Sequence, residues 1–222
     1  MWQAVRSVVR SLVSLWKNIE RFFMEKLKVD KTIKLVAQLA IDISSQVFSK
    51  IVKRNTRVTL ERVFIADITE ITESMAASEG EIVASSIDLT GDVDFKFLFF
   101  VDTKDSFLLS DLMLGKEPGT TKALDDYALS AVQETGNILA SSISNVFSTN
   151  FEVDLKPSPP AVLHDYPGSI FEEFILDVAR EKDTIFVIES VFEVGGLDIK
   201  CNLFLLPSHD SDKILTYIAD TI

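Results

Sequence analysis

The sequence predicts an α+β domain in which two similar units join their strands into one sheet, with two long helices packed against it. The first observation is that the order helix, strand, short helix, β-hairpin, helix occurs twice. The second is residue similarity: residues 98–106 (LFFVDTKDS) align with 203–211 (LFLLPSHDS), and residues 55–60 with 150–155. A two-stranded hairpin is barely stable alone, so we expect an internal duplication with approximate two-fold symmetry over residues 30–222.

The first unit is predicted from hydrophobic periodicity and turn residues. Its elements are a long helix, a strand, a short helix, a hairpin turning at Thr90-Gly91-Asp92 and a closing helix, at residues 31–53, 56–65, 68–77, 81–88 with 93–101, and 106–114. Residues 115–121 contain Gly, Pro and Thr and are typical of a linker. The two halves are therefore expected at about residues 30–118 and 119–222.

The second unit repeats this order. Its predicted elements are a long helix, strand residues, a short helix, a hairpin across Gly195-Gly196 and a last helix, at residues 123–149, 152–163, 170–180, 184–194 with 197–206, and 210–222. Each unit thus contributes one long helix and one hairpin to the predicted domain.

An extra amphipathic helix is predicted over residues 2–27, within a separate N-terminal segment, residues 1–29. Its apolar residues recur at alternating three- and four-residue steps (Trp2, Val5, Val9, Leu12, Trp16, Ile19 and Phe23), and basic residues occupy the other side. Residues 1–34 have a formal net charge of +5, whereas the whole chain has −12. Three interpretations stay open: a cover or self-association seam, adsorption to an anionic membrane surface, and a tether to a signalling or motor partner.

Composition excludes several classes of function. The net charge of −12 argues against nucleic acid as the main partner. The chain has one cysteine, Cys201, and two histidines, so neither an internal disulfide nor a metal site built on Cys and His is expected. Cys201 lies in an alternating strand and is predicted to be a small core residue. A reducing cytoplasmic location fits this composition.

One face of the predicted helix at residues 123–149 carries small polar side chains. Ser130, Glu134, Asn137, Ser141 and Ser144 are spaced three or four residues apart and therefore share a face. Apolar residues lie mostly opposite (Val132, Leu139, Ile143, Val146 and Phe147). Gly136 interrupts this helix at a cost of about 1 kcal/mol relative to Ala, which indicates close packing or close approach by another group.

The spacing of these residues resembles the active-site signature of the CheC/CheX/FliY family of CheY-phosphate phosphatases. Ser130 is followed after three residues by Glu134, after two more by Asn137 and after twenty-two more by Pro160. The local sequence Glu-Thr-Gly-Asn-Ile-Leu is similar to the family's Glu-Ile-Gly-Asn-Ile core. The resemblance covers about residues 30–222 and is closest to CheC-like members, with only the second-half active site retained.

The resemblance implies hydrolysis of the aspartyl phosphate on a phosphorylated CheY-like response regulator, in two-component or chemotaxis signalling. Asn137 would orient the attacking water, since an amide can hold water without titrating near neutral pH. Glu134 would pair with the regulator's active-site lysine. Ser130 and Pro160 would border the site. The regulator would supply the phosphoaspartate and Mg²⁺, so no cofactor or metal of the chain's own is expected.

The first half has lost its copy of the signature. In one helix register Leu35 and Gln38 stand where Glu and Asn would be, and in another Leu39 and Asp42 do. This half is predicted to be structural or a docking surface. The alternative to a phosphatase is a non-catalytic binding or scaffold protein, similar to the FliM middle domain, for a response regulator or a partner such as the CheD deamidase.

Overall fold

The computed structural model describes residues 29, 31–52, 56–176, 183–194 and 197–207. Within these residues it contains five helices, α1 (Lys31–Val52), α2 (Ile68–Ala77), α3 (Thr103–Met113), α4 (Asp126–Phe151) and α5 (Pro167–Ile175). The seven strands are β1 (Thr56–Asp67), β2 (Ile82–Gly91), β3 (Phe95–Asp102), β4 (Leu155–Pro157), β5 (Ala161–Asp165), β6 (Thr184–Val194) and β7 (Leu197–Pro207). The predicted helices at residues 2–27 and 210–222 lie outside the described residues.

All seven strands form one antiparallel sheet in the order β1-β6-β7-β3-β2-β4, and β5 also pairs with β2. The hairpin β2–β3 comes from the first unit and β6–β7 from the second. They meet where β3 pairs with β7, for example at Leu98 opposite Phe204. The predicted α+β class and the joining of two hairpins into one sheet are therefore confirmed.

The sheet is covered on both faces. Side chains of successive strand residues point to opposite faces, so in β3 Phe97 and Phe99 enter the core shared with α1 and α4, while Leu98 and Phe100 enter the core shared with α2 and α5. This burial on both sides explains the unbroken apolar run in β3. The predicted core residue Cys201 is buried in the core with α1 and α4.

Helix α1 is long and apolar enough to cross a membrane by length and composition alone. Its side chains Ile33, Val36, Ala37, Ala40 and Phe48 are buried in the protein core. Its hydropathy is therefore accounted for by packing against the sheet and α4, where Ser44 Oγ donates to Ser142 Oγ at 2.9 Å.

One predicted strand was wrong in its continuity. In place of the strand predicted at residues 152–163, the structure has two short strands, β4 (Leu155–Pro157) and β5 (Ala161–Asp165), separated by Ser158, Pro159 and Pro160. Proline has no N–H and cannot donate to the ladder, so the two prolines end the pairing of β4. The Ser158 N–H donates to Asp88 O at 2.8 Å and keeps the segment against β2.

The residue alignment between the two halves also needs correction. Buried positions of α1 and α4 coincide when residue numbers differ by 99, as for Ile33 and Val132, Ala37 and Gly136, and Phe48 and Phe147. The same difference relates the first residues of β1 and β4, Thr56 and Leu155. The two similar stretches found in the sequence match residues whose numbers differ by 95 and by 105 instead. Between β3 and β7, a difference of 105 would match residues that point to opposite faces of the sheet, such as Leu98 and Leu203. A register that is wrong by one residue has this effect, because successive side chains of a strand alternate between faces.

Candidate active site

Helix α4 carries the motif residues and is fixed firmly on the sheet. It begins at an N-cap, Asp125, whose Oδ1 accepts from the Ala128 N–H at 2.8 Å. Its apolar face is buried, as the sequence predicts, at Val132, Leu139, Ile143, Val146 and Phe147. This packing directs the opposite face of α4 outward.

The outward face of α4 brings three of the predicted site residues together. Ser130 and Glu134 are exposed and Asn137 is half-buried. Within the described residues, neither Glu134 nor Asn137 makes a side-chain hydrogen bond or ion pair. A carboxylate and an amide, three residues apart on one helix face, are thus available to groups outside this part of the chain.

The predicted polar face is shorter than the spacing indicates. Ser141 is exposed, but Ser144 is buried and donates through Oγ to Ala140 O at 3.1 Å. A buried hydroxyl satisfied by its own helix cannot serve a partner. The prediction that Ser144 belongs to this face was therefore wrong.

The distant Pro160 lies beside the same helix. It is half-buried in the connection between β4 and β5, and its carbonyl oxygen accepts from Gln133 Nε2 at 3.4 Å. Gln133 directly precedes Glu134. The fold therefore brings the fourth motif position to the helix that carries the other three, although the chemical role of each stays a prediction.

Gly136 lies where α4 is in close contact with β2. A Cβ added at Gly136 would lie 2.6 Å from Ser85 Cβ, and closer still to Ser85 Oγ. Ser85 is fully buried in β2, between Phe99 of β3 and Val162 of β5. The close packing that the mid-helix glycine indicates is thus contact with β2, and Ser85 is a partner that sequence reasoning did not identify.

An aromatic residue extends the exposed face toward the start of α4. Tyr127 is 61% exposed, and Lys116 Nζ lies 5.5 Å from its ring centroid. Tyr127 precedes Ser130 by three residues and Glu134 by seven, so it shares their face. Sequence reasoning did not identify it, although this spacing was a signal that could have done so.

The loop leading into α4 is held by a buried carboxylate. Asp111 of α3 is fully buried and accepts from the Thr120 N–H at 2.8 Å and from Thr121 Oγ1 at 2.6 Å. Burial acts to raise the pKa of Asp111, but hydrogen bonds from Thr121, Thr120 and Gly119 outweigh it and lower the pKa below its usual 3.8.

The structure selects one of the two registers considered for the first half. With the difference of 99, the positions of Glu134 and Asn137 correspond to Leu35 and Gln38, not to Leu39 and Asp42. Leu35 is exposed, and Gln38 Nε2 donates to Asp42 Oδ1 at 3.1 Å. The first-half helix therefore presents no acid–amide pair at these positions.

The equivalent of Pro160 in the first half is Glu61. Strand β1 shifts register between Leu60 and Arg62, which leaves Glu61 at an irregularity. The break between β4 and β5 at Pro160 stands at the same place in the second half. The two halves thus have an irregularity at the same strand position, with glutamate in the first half and proline in the second. This supports matching the helix and first strand of the two halves by residue numbers that differ by 99.

No residue group in the described ranges is arranged to hold a metal ion, since no three His, Cys, Asp or Glu side chains there cluster suitably. The polar groups of Ser130, Glu134 and Asn137 are one hydroxyl, one carboxylate and one amide. These can bind water, a cation or a phosphoryl oxygen by hydrogen bonding.

Sequence comparison matches this region to known proteins. The profile of the CheC-like family matches residues 128–164, which contain all four motif positions. CheY-P phosphatase CheC of Bacillus subtilis is 29% identical over 128 residues, covering 56% of this chain and 59% of that protein. Flagellar motor switch phosphatase FliY of Bacillus subtilis is 25% identical over 150 residues, covering 67% of this chain and 36% of that protein. The matches thus span less than two thirds of either relative.

Solved structures show the same fold. Thermotoga maritima FliY has a TM-score of 0.67 at 22% identity, covering 87% of this chain and 96% of that one. The FliM middle domain from H. pylori has 0.64 at 11%, covering 86% and 98%. A chain of the CheX–CheY–BeF3–Mg complex from Borrelia burgdorferi has 0.51 at 13%, covering 78% and 97%. The predicted resemblance to the CheC/CheX/FliY family is therefore confirmed by the profile over residues 128–164 and by the two named relatives. The solved structures show a shared fold.

Proposed function

We propose that this protein is a phosphatase that hydrolyses the aspartyl phosphate of a CheY-like response regulator in two-component or chemotaxis signalling. The observation that carries the proposal is the outward face of α4, where Glu134 and Asn137 have no partners within the described residues. This face lies in the segment that matches the CheC-like family. Two relatives of the chain are named as phosphatases.

Asn137 is the residue proposed to position water. Its side chain is half-buried, so fewer rotamers are open to it than to an exposed asparagine. Its amide oxygen accepts from a water molecule and orients it for in-line attack. The water oxygen bonds to phosphorus as the bond to the aspartyl oxygen breaks, which releases inorganic phosphate and restores the carboxylate.

Glu134 is the residue proposed to dock the regulator. It is exposed one helical turn before Asn137, so a lysine paired with it would place the phosphoaspartate near the Asn137 amide. A charge-assisted hydrogen bond is suited to this role because it is both short and directional. The regulator would bring its own Mg²⁺, and a cytoplasmic location is proposed because such regulators act there.

A solved structure of similar fold supports the kind of partner. This structure is a complex of CheX with CheY, BeF3 and Mg²⁺ from Borrelia burgdorferi. A protein of similar fold therefore occurs in a complex with CheY. We infer that the present chain binds a regulator of the same class through the face of α4.

A scaffold function is the second candidate. The FliM middle domain has the same fold, and the first half of this chain carries Leu35 and Gln38 in place of the motif residues. A scaffold would bind a regulator or a CheD-like partner without turnover. The presence of Glu134 and Asn137 in the second half favours the phosphatase.

Catalytic stoichiometry separates the two candidates. A phosphatase present at substoichiometric concentration should empty the whole pool of phosphorylated regulator, and Glu134→Ala should raise KM more than it lowers kcat. The matched control is Ser141→Ala, an exposed change farther along α4. Dephosphorylation that stops in proportion to the protein added would instead support a scaffold and contradict the proposal.

A further inference from the structure

We propose that Gly136 and Ser85 act together as positioning residues, which set the depth of α4 on the sheet and so the place of the Asn137 amide. This inference rests on the proposed phosphatase function. Gly136 is the one glycine of α4 and is buried at the middle of its sheet-facing side. Asn137, the next residue, is carried by the same backbone.

The contact between Gly136 and β2 leaves no room for a side chain. A Cβ at Gly136 would lie 2.6 Å from Ser85 Cβ, whereas ordinary van der Waals contact begins at 3.4 Å. Ser85 cannot withdraw, because its strand is paired on both sides, with β3 and with β5. Any Cβ at position 136 therefore displaces α4 from the sheet by about 0.8 Å, the difference between these two distances.

The Ser85 hydroxyl fills the space that the glycine leaves. Ser85 is fully buried, and its Oγ has no hydrogen-bond partner within the described part of the chain. A buried hydroxyl without a partner is unfavourable. Its place under Gly136 shows that the side chain matches the helix by size and not by hydrogen bonding.

The first half provides an internal comparison. Gly136 of α4 corresponds to Ala37 of α1. Gly91, the last residue of β2, pairs with Leu155, and Val194, the last residue of β6, pairs with the equivalent Thr56. Gly91 and Val194 are therefore equivalent. Ser85 lies six residues before Gly91 in β2, and Ile188 lies six residues before Val194 in β6. Ser85 is therefore equivalent to Ile188, which is also buried. The half without the motif thus has the larger residue at both positions. The pair of small residues accompanies the motif.

The displacement has a direct consequence for positioning. The turn of α4 around Gly136 moves outward by about 0.8 Å and carries the short Asn137 side chain with it. The longer Glu134 and Tyr127 side chains can change rotamer and keep the regulator docked where it was. A misplacement of about 1 Å can cost about 10²-fold in rate. Gly136→Ala should therefore lower kcat by about tenfold to a hundredfold and leave KM within about twofold, since docking groups are retained.

The test is a rescue experiment on the intact chain. Dephosphorylation of an aspartyl-phosphorylated CheY-type regulator is measured for wild type, Gly136→Ala, Ser85→Gly and the double variant, with circular dichroism to normalise for folded protein. Ser85→Gly removes both clashing atoms, and the next atom near the added Cβ is Phe99 Cδ1 at 3.7 Å. The double variant should regain the kcat of Ser85→Gly alone.

Ser190→Gly is the matched control for the rescue. Ser190 is also a buried serine with an unpartnered hydroxyl, in β6. It should not restore kcat to Gly136→Ala. Equal rescue by Ser190→Gly, or a wild-type kcat for Gly136→Ala, would overturn the inference.

Failure of the proposed function can be told apart from failure of this inference. If wild type turns over no regulator, the phosphatase proposal fails, and the contact is then tested by thermal unfolding. Gly136→Ala should lower Tm, and Ser85→Gly should partly restore it, as a non-additive pair in contact does. Additive effects on Tm would overturn the inference.

Discussion

Replacing Asp111 by Asn tests how the loop before α4 is held. The two carboxylate oxygens accept from the Thr120 N–H, the Thr121 N–H and Thr121 Oγ1 at 2.8, 3.0 and 2.6 Å. An amide keeps the shape but loses the charge, and its NH2 group faces a donor. The loop fixed in this way leads directly to the Asp125 cap of α4.

The expected loss of stability follows from these bonds. A hydrogen bond to a charged group contributes about 1.5–3 kcal/mol, against about 1 kcal/mol for a neutral one. Because Thr120 is exposed, water can accept the hydrogen bond that the Thr120 N–H no longer donates to Asp111. We expect Asp111→Asn to lower the free energy of unfolding by about 1–3 kcal/mol, measured by urea unfolding near neutral pH.

The pH dependence has a definite sign. The pKa of Asp111 is lowered in the folded protein from 3.8, so its contribution is fully present above that value. It disappears as pH falls through the lower, folded pKa, where the folded state must also take up the proton. The stability difference between wild type and Asp111→Asn should therefore shrink below pH 3.8.

Asp105 is the matched control with the opposite sign. Burial, and then the charge of Asp102, raise the pKa of Asp105, so its ionised form is disfavoured by folding. Asp105→Asn should be neutral or stabilising at neutral pH, and this advantage should fade as acid protonates the wild-type group. An Asp111→Asn difference that stays constant from neutral pH to below pH 3.8 would refute the assigned role of the carboxylate.

Two further predictions concern packing and docking. Phe147 is fully buried with its ring 5.6 Å from that of Phe95, so Phe147→Ala should cost about 3–5 kcal/mol in urea unfolding; a loss under about 1 kcal/mol would contradict this packing. Tyr127→Ala should raise KM for the regulator about tenfold with kcat unchanged, as truncation of an exposed aromatic anchor does. Tyr166→Ala, at an equally exposed tyrosine, should change neither, and equal effects of the two would exclude a specific role for Tyr127.

Local pattern was sufficient for most of the architecture. The helix predicted at residues 68–77 coincides with α2, and the predicted hairpin at residues 184–206 matches β6 and β7 to within one residue. These elements have strong periodicity and clear turn residues between them, so little tertiary information is needed. The four motif residues were identified by their resemblance to a known signature, and three of them lie on one helix. Their roles stay predictions.

Tertiary contacts decided what local pattern could not. The partner of Gly136 is Ser85, fifty-one residues earlier in the chain, and nothing near either residue identifies the other. An aspartate in a helix is usually exposed to solvent. Asp111 is instead buried, and the loop residues Thr120 and Thr121 donate hydrogen bonds to it. The split of β4 from β5 depends on the two prolines and on Ser158 pairing with β2. The residue alignment of the two halves was wrong because short apolar strands resemble one another by chance. That resemblance does not show which residues point to the same face of the sheet.

The central claim is that Asn137 positions the attacking water. Asn137 has no side-chain hydrogen bond within the described residues, so Asn137→Ala should leave Tm nearly unchanged. The matched control is Gln38→Ala, which removes the amide at the equivalent position of α1.

The most direct measurement is loss of phosphate from an aspartyl-phosphorylated CheY-type regulator, with substoichiometric wild type, Asn137→Ala and Gln38→Ala side by side. We predict multiple turnover by wild type and Gln38→Ala, and a loss of at least about a hundredfold in kcat for Asn137→Ala. Turnover by Asn137→Ala at the wild-type rate would contradict the account.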